Sequence, residues 1–328
     1  MNYLYFNRDF GLLDIGARDG IGWPWKDLDQ KFMQVSLVEP DPEEFKRLSI
    51  NNKDNLIPFA LWSDNKKLTL NINNSEGTSS IYDSNFDFLG NFPEHNRFQL
   101  KNQVTVDAKT IDFLHKKNHL KYIDFLKIDV QGGELEILKG GTKLLKEQLV
   151  GMELEVEFSQ MYKNQPLFGD VHNFITCEIG LELWDLRKTY WKFTNHTKMP
   201  HKGKLVFGDA LYLRPIEKLP NWLESMSRDI AEDKLHKLFL TCFSYGYIDY
   251  VLMAISQPGI EKFLTDDQKI FYQKSLKKYT KSFYPFKNGN VFLYRLFKAL
   301  MNSFMPTHNG WAYAESNLGS KKKNGFWI

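Results

Sequence analysis

The chain is poor in cysteine, in net charge and in uninterrupted apolar sequence. Only Cys177 and Cys242 are present among 328 residues, with neither paired spacing nor a histidine cluster around them, which excludes a disulfide scaffold and a cysteine-rich metal module. Both are read as reduced thiols, in keeping with an intracellular compartment. The formal net charge is only +3, too weak a field to imply a nucleic-acid partner. Met1 to Phe10 has no apolar run of the kind a secretory leader requires. A cytoplasmic protein is expected, peripheral at most to the inner face of a membrane. Leu238 to Ser256 is long enough to cross a bilayer, but Asp249 lies in it and Ser244-Tyr245-Gly246-Tyr247 interrupt it. Two buried helices broken at Gly246 are expected instead.

What is present is a chain that is 42% hydrophobic and 25% charged, enough for a full core and a further lobe. Its apolar period alternates between strand and helix, the pattern of a parallel sheet with crossover helices. Buried strands are expected at Phe10–Gly16, Phe32–Val38, Asn55–Trp62, Ile123–Val130 and Leu149–Phe158, with Leu181–Leu186 and Lys204–Leu213 closing the sheet. Lys67–Ile72 and Gln103–Val106 read as edge or hairpin strands around a Gly77-Thr78-Ser79-Ser80 loop. Asp41 as N-cap, Pro42 at the first helical position and Glu43 with Glu44 in the first turn open a helix that runs to Asn51. Further helices are expected over Thr110–Lys117, over Gly133–Lys139 with a stop at Gly140-Gly141, and over Phe168–Ile179.

Ligands of an open α/β sheet sit beyond the carboxyl ends of its strands. The first strand ends in Asp14-Ile15-Gly16-Ala17-Arg18-Asp19-Gly20, where glycine lets the backbone approach a ligand. Arg18 stands where a dinucleotide fingerprint needs its middle glycine. Glu39 closes the second strand, placed to accept ribose hydroxyls. Lys127 and Asp129, two apart in Phe125–Val130, share one face of a strand buried on both sides, where charge needs a reason. They form either a structural pair or the lip of a cofactor cleft. Glu134 opens the next helix, as a cleft residue or as a first-turn acid favoured by the macrodipole.

The run Asp124-Phe125-Leu126-Lys127-Ile128-Asp129-Val130-Gln131-Gly132-Gly133-Glu134 resembles a stretch characteristic of FkbM-family S-adenosylmethionine methyltransferases. Leu12–Ala17, Val38-Glu39-Pro40-Asp41, Thr110-Ile111-Asp112, Leu138-Lys139-Gly140-Gly141 and the Tyr162–Leu186 stretch resemble that family in the same order. Arg18 departs from it, since the family carries a small polar residue such as Asn there, and Gly133 stands where Ala is common. The resemblance implies a doubly wound, mostly parallel, Rossmann-like sheet of seven strands with the last antiparallel, over residues 1–215. Residues 216–328 form a C-terminal helical appendage. It also implies S-adenosyl-L-methionine held by Asp14, Gly16, Ala17 and Gly20 at the methionine and sulfonium end and by Glu39 at the ribose. Asp64 is either an adenine contact or a turn residue.

Methyl transfer to an alcohol needs positioning and a proton acceptor. Asp129 is the expected base, raised by burial or acting in concert with transfer. Lys127 either opposes that rise or orients the acceptor. Asp129 and Glu134 are also the pair that would hold a divalent cation, although neither a histidine ligand nor a dense acidic cluster accompanies them, and no metal is assigned. Glu153, Glu155 and Glu157 share one face and read as surface or a structural network before catalysis. His172 reads as packing, and His95 as a loop residue able to touch the acceptor. The acceptor implied by resemblance is a sugar hydroxyl of a surface glycan or of its lipid-linked precursor. The rivals are a nicotinamide oxidoreductase, disfavoured by the missing glycine triad, and a scaffold that keeps the cofactor site without turnover. Between Gln268 and Ala314 there is no Asp or Glu, while lysines and aromatics interleave. The stretch 268–304 is a lobe with an aromatic core and solvated lysines, or else a basic aromatic surface for an anionic membrane or an acidic glycan.

Overall fold

The computed structural model describes residues 5–18, 20–51, 54–198, 201–280, 290–303, 310–315 and 318, without the side chains of residues 51, 276–280, 302 and 303. Asp19 and the basic aromatic residues Lys281, Phe283, Tyr284 and Lys287 lie outside the described residues. The first three strands are β1 (Phe10–Ile15), β2 (Met33–Val38) and β3 (Asn55–Ile57), with helix α1 (Pro42–Asn51) between the last two. β1 is buried along its whole length, as a central strand covered on both faces must be. α1 starts as its residues dictate, with Asp41 Oδ1 accepting from the Glu43 N–H at 3.0 Å.

β7 (Phe125–Ile128) and β8 (Gly151–Glu157) continue the sheet, followed by β9 (Glu182–Trp191), β10 (Lys204–Leu213) and β11 (Ala312–Ala314). The order is β11-β9-β10-β8-β7-β1-β2-β3. β3, β2, β1, β7 and β8 are parallel, β10 is antiparallel to β8 and β9, and β11 is antiparallel to β9. The sheet therefore has eight strands, not seven. The extra strand is supplied by the C-terminal segment, which pairs with the edge that β9 would otherwise leave open. The antiparallel strand among the expected seven is β10.

The strand expected over Asn55–Trp62 is divided at Pro58, which has no N–H to give a ladder. β3 stays in the large sheet, whereas β4 (Ala60–Leu61) joins β5 (Lys66–Asn73) and β6 (Leu100–Lys109) in a second sheet of order β4-β6-β5.

Two cores sandwich the large sheet. On one face Leu13, Ile15, Leu126, Met152 and Leu154 pack with α3 (Ile111–Lys116), α4 (Glu134–Lys139), α5 (Thr142–Gln148) and α6 (Phe168–Phe174). Sequence reading had no helix at α5. On the other face Phe10, Leu12, Phe125, Leu211 and Leu213 pack against α7 (Leu219–Glu224), α8 (Arg228–Tyr245) and α9 (Ile248–Ser256). This core contains residues from both sides of the boundary expected at residue 215, and the C-terminal helices cover the second face of the sheet. The break between α8 and α9 falls at Gly246, whose φ is +88°, and no helix among the described residues is long and apolar enough to span a membrane.

Candidate active site

Strand order reverses between β1 and β7, the switch point at which such sheets bind ligands. β1 ends there in a turn that requires glycine. Gly16 has φ +83°, and a Cβ on it would stand 2.0 Å from the carbonyl oxygen of Asp129. The Asp129 N–H in turn donates to Ile15 O at 3.0 Å, so the Gly16 turn and the Asp129 loop are built against each other. Gly20, with φ +74°, closes the turn by donating to Ala17 O at 2.9 Å.

A cleft of about 360 Å³ opens at this point, within the size range of small-molecule sites. Its first wall is Gly16, Ala17, Arg18 and Gly20, its second Glu39 and Asp41, and its third Lys127, Asp129, Gln131 and Ile137. Trp62 and the β4-β6-β5 insertion, through Leu70, Ile72, Glu76 and Ser79, close it from above.

Glu39 is 7% exposed, and its Oε1 accepts from the Asp41 N–H at 2.9 Å. Burial pushes its carboxyl up to about 7, against the lowering effects of that hydrogen bond and of Arg18. Strand register puts Asp14, Lys127 and Glu153 in one row across β1, β7 and β8. Lys127 Nζ lies 3.3 Å from Asp14 Oδ1, while Asp14 Oδ2 is buried without a hydrogen-bond partner. Burial lifts the Asp14 carboxyl even with Lys127 beside it. Burial works against the Lys127 charge too, but Asp14, Asp129 and Glu153 together hold it above the ordinary ammonium range.

Asp129 is exposed to the cleft rather than buried. Gln131, held in the left-handed region at φ +60°, fixes it: Nε2 donates to Asp129 Oδ1 at 3.0 Å and to Glu155 Oε1 at 2.8 Å. Its carbonyl accepts from Ser80 Oγ at 2.7 Å, and its Oε1 lies 3.1 Å from the Tyr162 hydroxyl, which also reaches Thr78 O at 2.8 Å. The second sheet is thereby tied to the Asp129 loop. Left-handed backbone at a non-glycine residue costs energy and persists where its surroundings hold it, often at functional sites.

The glutamate row of β8 is a network, not surface. Glu153 Oε2 accepts from the Tyr245 hydroxyl at 2.5 Å, and burial raises Glu153 to about 7. Glu157 is 1% exposed with neither oxygen hydrogen-bonded. Burial, then the charges of neighbouring acids, push Glu155 and Glu157 well above the usual carboxylate range.

Several expected residues lie elsewhere. Glu134 does not line the cleft: it is 1% exposed, and its Oε1 accepts from the Val130 and Gly132 N–H groups at 3.1 and 3.2 Å. The left-handed Gln131-Gly132 turn aims those donors inward, so Glu134 braces the loop and does not converge with Asp129 on a cation. Among the described residues no group of three or more His, Cys, Asp or Glu is arranged to hold a metal ion. Asp64, with a side chain 73% exposed and 3.8 Å from Lys66, is a turn residue, and Trp62 takes the wall position expected of it. Asp14 stands behind the wall and reaches the cleft through Lys127. His95 is exposed outside the cleft, with Nδ1 3.1 Å from Phe92 O. His172 packs on Phe168 and contacts the Tyr212 hydroxyl.

Arg18, the residue at odds with the expected pattern, crosses the mouth of the cleft to Glu76 at 2.7 Å and lies 3.5 Å from Glu44. The parts played by Trp62, Glu76 and Tyr162 escaped sequence reading. Two lie on an insertion whose position no local pattern reports, and the Gly77–Ser80 loop beside Glu76 was the one available signal.

Sheet order and cleft define an α/β protein with a cavity of small-molecule size at its switch point. The methyltransferase FkbM domain family matches residues 14–183, just over half of the chain, and the chain belongs to that family. Among solved structures, the methyltransferase FkbM from Methylobacillus flagellatus KT is similar at 14% identity with a TM-score of 0.34, over 61% of this chain and 43% of that one. The chain thus spans less than half of that relative's length. No curated protein is significantly similar to it.

Proposed function

We propose that the protein is an S-adenosylmethionine-dependent O-methyltransferase whose acceptor is a sugar hydroxyl of a glycan or its lipid-linked precursor. The observation that carries the cofactor assignment is that Glu39 and Asp129, from different strand ends, line one cavity beside a glycine turn packed too closely against the Asp129 carbonyl for a Cβ. The residues fit the group: a buried carboxylate for ribose hydroxyls, glycine backbone for the methionine end, and the apolar Trp62, Leu70 and Ile72 around the remainder. Bound there, S-adenosylmethionine supplies an electrophilic methyl group on a sulfonium leaving group. Asp129, exposed to the cleft and held by Gln131, takes the proton of the acceptor hydroxyl as the new C–O bond forms. Lys127, kept charged by Asp14, orients the acceptor or the carboxylate end of the cofactor. The apolar insertion excludes water from the site. The sugar acceptor rests on family membership.

Titration calorimetry with S-adenosylmethionine and with NAD tests the cofactor. Binding of the first alone is expected, weakened by Glu39→Gln, and falling by up to about tenfold per pH unit as Glu39 takes up its proton below about 7. Tighter binding of NAD would overturn the assignment. Transfer of labelled methyl to fractionated glycans and lipid-linked sugars tests the acceptor. Cofactor binding with no labelled fraction and no effect of Asp129→Asn would identify a scaffold instead.

A further inference from the structure

The basic aromatic stretch contains two helices that behave in opposite ways. In α10 (Asp266–Thr280) the aromatics with described side chains face the core: Phe271 packs against it, and Tyr272 is buried, stacked on His236 and edge-on to Phe239. In α11 (Val291–Ser303) they are not, with Phe292 and Met301 each 74% exposed and Phe297 60% exposed. At 100° per residue, Phe292, Leu293, Leu296, Phe297, Leu300 and Met301 fall on one arc, which Tyr294 extends to about 200°. Arg295 and Lys298 occupy the remainder together with the exposed Val291 between them and Ala299 at its edge. No Asp or Glu occurs from Gln268 to Ala314.

We propose that α11 is an in-plane anchor for a membrane surface rich in anionic lipid. A wide apolar arc opposite a narrow basic face is the composition that seats a helix at the boundary between headgroups and acyl chains. Thirteen residues make a helix about 20 Å long, too short to cross a hydrocarbon core of about 30 Å. A groove on a folded partner receives a stripe about 100° wide, and the arc of α11 is twice that, which a fluid interface covers and a groove does not. Arg295 and Lys298, with no acid nearby in sequence, supply the charge complementarity to anionic headgroups. The proposal stands on α11 alone and holds whether or not the cleft transfers a methyl group.

The test is co-sedimentation of the full chain with phosphatidylcholine vesicles containing about one third phosphatidylglycerol, and with phosphatidylcholine alone. The parent is expected to prefer the anionic vesicles, with Arg295→Ser and Lys298→Ser each weakening binding about fivefold. Phe292→Ser with Phe297→Ser is expected to weaken it by about tenfold or more, with an unchanged melting temperature because both side chains are exposed. Equal binding to the two vesicle types, or undiminished binding of the double serine variant, would overturn the proposal. So would a parent that ignores vesicles but is a dimer by light scattering, made monomeric by the serine substitutions. In that case a second copy covers α11.

Discussion

The two ends of β7 carry two charge clusters built to opposite specifications. At its amino end Asp124 is fully buried and fully partnered: Lys234 at 2.5 Å, Lys237 at 2.9 Å, the Gly11 N–H at 2.7 Å and Arg8 at 3.5 Å. Asp233 joins the cluster through Lys237 and Arg8. Burial alone would raise Asp124, but the cations outweigh it and hold its carboxyl below the usual range. Burial also brings Lys234 down to about 8 against the pull of Asp124, with the neighbouring Arg8 and Lys237 charges adding a little to the fall. At the carboxyl end Asp14 Oδ2 and both Glu157 oxygens lack partners, Gln131 sits at φ +60°, and Asp14, Glu39, Glu134 and the β8 glutamates are all raised. One strand thus ends in a clamp that fastens the C-terminal helices to the sheet and in a polar site left unsatisfied beside a cleft. A charge cluster follows function where it is incompletely partnered and open, and stability where it is closed.

The largest expected effect breaks the clamp. Asp124→Ala leaves Lys234 and Lys237 buried without their shared carboxylate, and about 3–5 kcal/mol of unfolding free energy should be lost in urea titration. Whatever fraction remains folded should bind cofactor as the parent does, and a selective loss of cofactor binding would erase the distinction between the ends. Asp129→Asn should do the reverse, lowering kcat about a hundredfold or more while leaving the urea midpoint in place. A drop in stability comparable to that of Asp124→Ala would make Asp129 structural.

Acidity separates the ends more gently. The raised carboxylates hold protons in the folded state that the unfolded chain has released, so their stabilisation is present below about pH 4.5 and is lost as pH rises through about 7. Asp124 has the opposite sign, stabilising above its unfolded value and failing only on strong acidification. The melting temperature should therefore fall between about pH 4.5 and 7, and Glu153→Gln should flatten that slope. A flat parent profile would show that the buried acids are already paired in solution. The smallest effect is expected of Arg18→Ala. Its bridge to the half-exposed Glu76 contributes at most about 1 kcal/mol, so melting should barely change, while cofactor release measured by stopped flow should quicken if the bridge closes the mouth. Unchanged release leaves Arg18 as surface.

The parallel strands, the helix opened by Asp41-Pro42 and the break at Gly246 were legible because each rests on a local period or a local capping residue. The positions of Gly16, Glu39, Lys127 and Asp129 at the cleft were legible because strand ends border the crevice in any sheet of this kind. Between the alternatives left open for Glu134 and Asp64 the sequence could not choose, because the direction of a side chain depends on a loop's dihedrals: the Gln131-Gly132 turn claims one carboxylate while solvent takes the other. The eighth strand was invisible because Ala312–Ala314 acquires strand character only by pairing with β9.

Amino-acid order alone determined the α/β class, the family resemblance and which strand ends border the cleft, since these follow from periodicity and from residue types fixed at short spacing. Tertiary structure alone decided which charges meet. The row of Asp14, Lys127 and Glu153 joins residues far apart in sequence through strand register, and the opposite fates of the aromatics in α10 and α11 depend on which helix finds a core to fill.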